Sequence, residues 1–143
     1  MPLLLAFDDE AAPAQRLLAA LNTAAAGATE PWTLAFVQRH RFPDGEWRLR
    51  LPPELPAEVA LYRSLHQPNE KLVELLLAAP AARELGARRL WLVAPYLAYM
   101  RQDAAFSPGE VVSQRHVGRC LAAAFDGLIT VDPHLHRVAT LAE

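Results

Sequence analysis

Short apolar runs of strand length alternate with longer stretches of helical period along this sequence, and that rhythm leaves few folds open. Leu3 to Phe7 is continuous and apolar, and Ala12 to Leu21 then places Leu17, Leu18 and Leu21 at helical spacing. Trp32 to Val37 reads as a second strand. Trp47 to Leu51 alternates strictly, the pattern of a strand with one wet face. The link Pro52-Pro53-Glu54-Leu55-Pro56 excludes regular structure, and Val59 to Tyr62 follows as a short strand. Asn69 is placed to cap the next helix, and Glu70 and Glu74 suit its positive end. Leu72, Val73, Leu75, Leu76 and Leu77 give that helix a broad apolar face. Gly86 stands where it would stop. Arg89 to Ala94 then reads as a buried strand, residues 95 to 110 as a polar loop, Ser113 to Phe125 as a helix and Gly127 to Val131 as the last strand. The repetition specifies an α/β domain with a largely parallel sheet flanked by helices.

The 143 residues fit one domain, 1–143, with enough chain to bury a core. A net charge of -2 supplies no field that would recruit nucleic acid or an anionic membrane. The apolar start breaks off at Asp8-Asp9-Glu10, too short for a signal peptide or a membrane span. The single cysteine, Cys120, cannot form an internal disulfide, suits a reducing cytoplasm, and is expected as a small core residue. His40, His66 and His116 are expected on the surface.

In parallel sheets of this kind ligands bind beyond the carboxyl ends of the strands. Three stretches offer chemistry, and each has a plain structural alternative. Phe42-Pro43-Asp44-Gly45-Glu46 is ordinary turn chemistry, or an aromatic face beside two carboxylates that can stack on a base and accept from its amino group. Pro95 to Asp103 is a solvated loop, or a phosphate and nucleotide contact through Arg101 and Gln102; Tyr96 and Tyr99 in it are expected to serve packing. In Asp132-Pro133-His134-Leu135-His136, Pro133 favours extended geometry at Asp132, so that alternation would aim Asp132, His134 and His136 to one side. That is a polar strand end, or a set of groups able to hold a divalent ion or bind phosphate.

Together these stretches resemble the amino-terminal half of ribose-phosphate pyrophosphokinase, also called phosphoribosyl pyrophosphate synthetase. Phe42-Pro43-Asp44-Gly45-Glu46 matches its Phe-x-Asp/Asn-Gly/Gln-Glu loop, and Pro68 to Leu76 matches its Asn-containing helix start. Pro95, Tyr96, Tyr99, Arg101, Gln102 and Asp103 match its Pro-Tyr-x-x-Tyr-x-Arg-Gln-Asp segment. Thr130, Asp132 and His134 match its Thr-x-Asp-x-His strand end. The resemblance runs in order and at similar intervals from about Phe42 onward.

It implies a phosphoribosyltransferase-like half of a two-domain enzyme that transfers the diphosphoryl group of Mg-ATP to ribose 5-phosphate, giving phosphoribosyl diphosphate and AMP. By the same resemblance Phe42, Asp44 and Glu46 contact the adenine end of ATP, often from a neighbouring subunit. Arg101, Gln102, Asp103 and His134 belong to the nucleotide site, and Asp132 and His134 face magnesium. No catalytic group is assigned within this half. The family's basic residue after Arg-Gln-Asp is replaced here by Ala104-Ala105, and its carboxy-terminal half has no counterpart in this sequence. The implied protein is a cytoplasmic homo-oligomer, and this chain is expected to be inactive alone. Two rival readings are a non-catalytic partner subunit of the same family and a metal-dependent hydrolase. The latter rests on Asp-x-His-x-His, which opens the amidohydrolase barrels but closes this chain.

Overall fold

The computed structural model describes residues 1–25 and 30–137. Its strands are β1 (Leu3–Phe7), β2 (Thr33–Arg41), β3 (Trp47–Arg50), β4 (Glu58–Tyr62), β5 (Arg89–Val93) and β6 (Gly127–Ile129). Its helices are α1 (Ala11–Ala24), α2 (Pro68–Glu84) and α3 (Ser113–Ala124), with a 3-10 turn at Asp8–Glu10. The sheet runs β3-β2-β1-β4-β5-β6, parallel throughout except for the β2–β3 hairpin. The expected α/β architecture is therefore present, with β1 central and buried along its whole length.

Alternation along β1 divides the core. Leu3, Leu5 and Phe7 face one side with Leu75, Ala78, Ala82, Leu121 and Phe125, while Leu4 and Ala6 face the other with Ala14, Leu17 and Leu18. Right-handed crossovers account for this division. The chain steps one way along the sheet from β1 to β2, and the other way from β4 through β5 to β6. Thus α1 covers one face, and α2 and α3 cover the other. Beside α1 an apolar groove of about 220 Å³ remains, lined by Leu4, Leu17, Trp32, Trp91, Val93 and Ile129.

Several local expectations need correction. Asn69 does not cap α2; the cap position is Gln67, with φ 51°, and Pro68 opens the helix. Proline suits that place because its missing N–H is one the helix would leave unpaired anyway. The apolar face of α2 is only partly buried: Leu75 is enclosed, but Val73, Leu76 and Leu77 are 46–49% exposed. The buried stripe is Glu74, Leu75, Ala78, Ala79 and Ala82, whose small alanines let the helix lie close on the sheet. Cys120 is exposed, because α3 turns Gln114, Val117, Leu121 and Ala124 inward and leaves it on the flank. His40, His66 and His116 are exposed as expected. β2 runs on to Arg41, since β3 gives its far end a partner. Gly86 does close off α2, at φ +121°, and a Cβ there would lie 2.7 Å from the Leu55 carbonyl oxygen.

Candidate functional site

The loops after β5 and β6 leave the same edge of the sheet from neighbouring strands, and they are tied together. Ala94 N–H donates to Ile129 O at 2.9 Å and Val131 N–H to Pro95 O at 3.1 Å. Arg137 Nη1 donates to Asp103 Oδ1 at 2.5 Å. Arg101 is exposed and Gln102 half-buried, its amide donating to Ala104 O at 3.0 Å. Asp103 is buried, so it braces the loop instead of presenting a carboxylate to solvent. Glu110 accepts from the Phe106 and Ser107 N–H groups, and those two bonds hold its carboxyl below the ordinary range. Tyr99 sits at φ 61° and donates from its hydroxyl to Asn69 Oδ1, which pins this loop to the start of α2. Tyr96, by contrast, is 48% exposed and does not serve packing.

At β6 the strand ends at Ile129, two residues earlier than its apolar run suggests. Asp132 has φ 47° and is not extended. Aspartate tolerates the left-handed region better than most residues, and here that preference prevails over the bias set by the following proline. His134 and His136 are exposed, with rings edge to face at 4.0 Å. Among the described residues no three His, Cys, Asp or Glu side chains are placed to hold a metal ion. Asp132 still offers the single carboxylate with which a protein commonly meets a magnesium ion held mainly by substrate phosphates and water.

The Phe42–Glu46 turn stands apart. Gly45 takes φ +95°, and Glu46 N–H donates to Asp44 Oδ1 at 3.1 Å, so the hairpin is a true turn with Asp44, Glu46 and Phe42 exposed. Three strand spacings separate β2 from β5, about 14 Å. The turn leans instead on α2 through Arg41 and Glu70, 2.8 Å apart.

The same edge holds a second group that reading the motifs missed. At the switch point between β1 and β4, where the direction of winding reverses, Asp8, Asp9 and Glu10 follow one strand and Arg63 follows the other. Arg63, 1% exposed, donates to Asp9 Oδ1 at 2.6 Å and Glu10 Oε2 at 2.9 Å, and its charge faces Glu74 Oε2 at 2.5 Å. Arg39 reaches from β2 to Glu74 at 2.9 Å and Asp8 at 2.5 Å. Glu74 thus serves as a buried counter-ion, not as a partner of the helix dipole. The cluster lines a cleft of about 500 Å³ with Trp47 and Lys71. A signal existed: acids and an arginine placed directly after two fully apolar strands must end at one edge if the strands pair in parallel.

Burial alone would raise the Asp9 carboxyl, but Arg63, then Arg39 and Lys71, outweigh it and hold it below its ordinary value. Burial pulls Lys71 down. A carboxyl depressed on folding stabilises the fold above its unfolded value near 4, and that stabilisation is lost as pH falls through its lower folded value. The urea midpoint is therefore expected to hold steady from pH 7 to about 5 and to fall below about pH 4. Asp9→Asn should flatten the acid limb; an unchanged limb would remove Asp9 from the cause.

The family model for the N-terminal domain of ribose phosphate pyrophosphokinase matches residues 15–124. This span contains the hairpin turn, the start of α2 and the Arg101–Asp103 loop, and it stops short of Asp132 and His134. The ribose-phosphate pyrophosphokinase of Methanopyrus kandleri is 49% identical over 109 residues, which cover 76% of this chain and 37% of that protein. The Halobacterium salinarum (strain R1) protein of the same name is 40% identical over 93 residues, 65% of this chain and 33% of that one. The chain thus spans about a third of the length of these relatives. The crystal structure of phosphoribosylpyrophosphate synthetase from Mycobacterium smegmatis superposes with a TM-score of 0.74 at 22% identity. It covers 96% of this chain and 44% of that one, a likeness of fold. No helix among the described residues is long and apolar enough to cross a membrane. The chain belongs to the ribose-phosphate pyrophosphokinase family of enzymes and corresponds to its amino-terminal domain.

Proposed function

We propose that this chain supplies the nucleotide-binding half of a ribose-phosphate diphosphokinase. That enzyme moves the β,γ-diphosphoryl group of ATP onto the 1-hydroxyl of ribose 5-phosphate and releases AMP. The observation that supports the reading is the joining of two motif-bearing loops at one strand edge, with Arg101 and Gln102 on one and Asp132 and His134 on the other. Diphosphoryl transfer asks mainly for positioning and charge neutralisation. Arg101 offers a planar donor fork to the phosphate chain and Gln102 a donor and an acceptor. His134 lies toward the same phosphates. Asp132, with His134, would meet magnesium, which when bound neutralises phosphate charge.

Phe42, Asp44 and Glu46 lie on a separate turn at the end of β2, three strands away from β5. They fit the adenine end of a nucleotide held by a neighbouring copy, which makes the working form a homo-oligomer. A carboxy-terminal half closes the cleft and brings the groups that hold ribose 5-phosphate, so the chain alone binds nucleotide and does not turn over.

The test is a titration of the purified chain with Mg-ATP followed by amide NMR. Shifts should concentrate at residues 101–103, 132 and 134. Arg101→Ala should weaken binding by about tenfold to a hundredfold, the worth of one charge-assisted hydrogen bond. Shifts confined to other parts of the sheet, or synthesis of phosphoribosyl diphosphate by the chain alone, would overturn the reading.

A further inference from the structure

From Asp103 to Gly109 the loop after β5 contains no lysine, arginine or histidine, although Arg101 stands just before it. The cation that this stretch does contact comes from the neighbouring loop. Arg137 sets Nη1 2.5 Å from Asp103 Oδ1 and its guanidinium carbon 5.3 Å from the centre of the Phe106 ring. The two partners of that ion pair differ sharply in setting. The Asp103 side chain is 1% exposed and that of Arg137 is 52% exposed.

An ordinary surface pair contributes little, and enclosing its carboxylate works against stability. What the arrangement achieves is placement. The enclosed carboxylate fixes where the guanidinium sits, and Phe106, itself 68% exposed, supports it from the ring side. Among the described residues only Nη1 is engaged. Nε and Nη2 of Arg137 make no hydrogen bond among the described residues, so the rest of the donor fork is open to solvent on the loop that holds Asp132 and His134. An open, oriented guanidinium edge matches the oxygens of a phosphate group.

We propose that Arg137 is a further ligand-contacting residue, binding the phosphate chain of the nucleotide, with Asp103 as its positioning residue and Phe106 as its support. The proposal rests on the nucleotide reading above and adds to it a second cation, on the loop after β6, to Arg101 on the loop after β5. Arg137 thereby brings a positive charge to the stretch holding Ala104 and Ala105, which has none of its own.

Titrating the intact chain separately with Mg-ATP and with adenosine, unchanged and as Arg137→Gln, isolates the phosphate contact. In a variant whose circular dichroism and thermal midpoint match the unchanged chain, ATP affinity should fall by about tenfold and adenosine affinity should hold. Arg137→Lys, which keeps the charge and loses the fork, should fall between the two. Asp103→Asn should weaken ATP through Arg137, so that adding it to Arg137→Gln brings little further loss. Equal ATP affinity in Arg137→Gln overturns the proposal and leaves the nucleotide reading standing. Parallel loss of ATP and adenosine overturns it too, since that marks a general loosening of the loop. If the unchanged chain binds neither ligand, the nucleotide reading itself fails and Arg137 falls with it.

Discussion

Replacing Arg63 with methionine is expected to remove about 3–5 kcal/mol of stability, measured as the loss of unfolding free energy in urea. The guanidinium is 2% exposed at its side chain; it donates to Glu10 and is the charge partner of Glu74, whose side chains are 8% and 1% exposed. Methionine fills most of the volume, so the loss isolates the charge and not a cavity. Two features pull the figure toward the lower end. Glu74 keeps Arg39 at 2.9 Å, and Glu10 keeps the Ser64 N–H at 3.1 Å. The origin of the loss is checked by adding Glu74→Leu to Arg63→Met. A well-packed apolar pair often matches or exceeds the ionic one it replaces, so the double variant should recover part of the loss. A single variant that loses under about 1 kcal/mol would show that the cluster is hydrated and behaves like a surface network.

Phe7→Ala is expected to match that effect, at about 3–5 kcal/mol, by a different route. The ring is fully buried at the end of β1 and lies beneath both arginines, 4.4 Å from the guanidinium carbon of Arg63 and 5.6 Å from that of Arg39. Removing it empties core volume and takes away the π-face on which buried Arg63 and partly buried Arg39 rest, a contact worth about 0.5–2 kcal/mol. Phe7→Leu separates the two parts, since it restores most of the apolar volume and none of the quadrupole. Phe7→Ala and Arg63→Met should couple, their combined loss falling short of the sum because each removes the same contact. Strict additivity in urea titrations would dismiss the stacking and leave a plain packing effect.

The strands were legible because each apolar run is short and bounded, and fully apolar runs such as Leu3 to Phe7 belong to strands buried on both faces. The motif residues were legible as loop residues after β5 and β6. Contacts between elements were not. Glu74 looks like a dipole partner in sequence, yet a helix that presents its second turn to the ends of two other strands turns it into a counter-ion. The burial of Asp103 depends on Arg137, 34 residues further along the chain. Asp132 went the other way: the proline after it argued for extended backbone, while aspartate's own tolerance of the left-handed region prevailed. The partial burial of α2 follows from its width against the sheet, which an apolar count does not contain. Local pattern carries element type; pairing across strands decides which polar groups meet.

Among the described residues three other than glycine hold positive φ, at Gln67, Tyr99 and Asp132, and they follow β4, β5 and β6 in turn. Such backbone costs about 1–2 kcal/mol at each position. Strain of this kind is spread over one margin of the molecule, while among the described residues of the opposite margin only Gly86 takes a positive φ, which glycine adopts without steric cost. The two margins therefore answer to different demands. One can drift toward whatever sequence folds most firmly, whereas the other keeps its loops in postures that folding by itself would not choose. Sequence change that favours stability alone would relax this edge first, and with it the angle at which Arg101, Asp132 and His134 meet their surroundings.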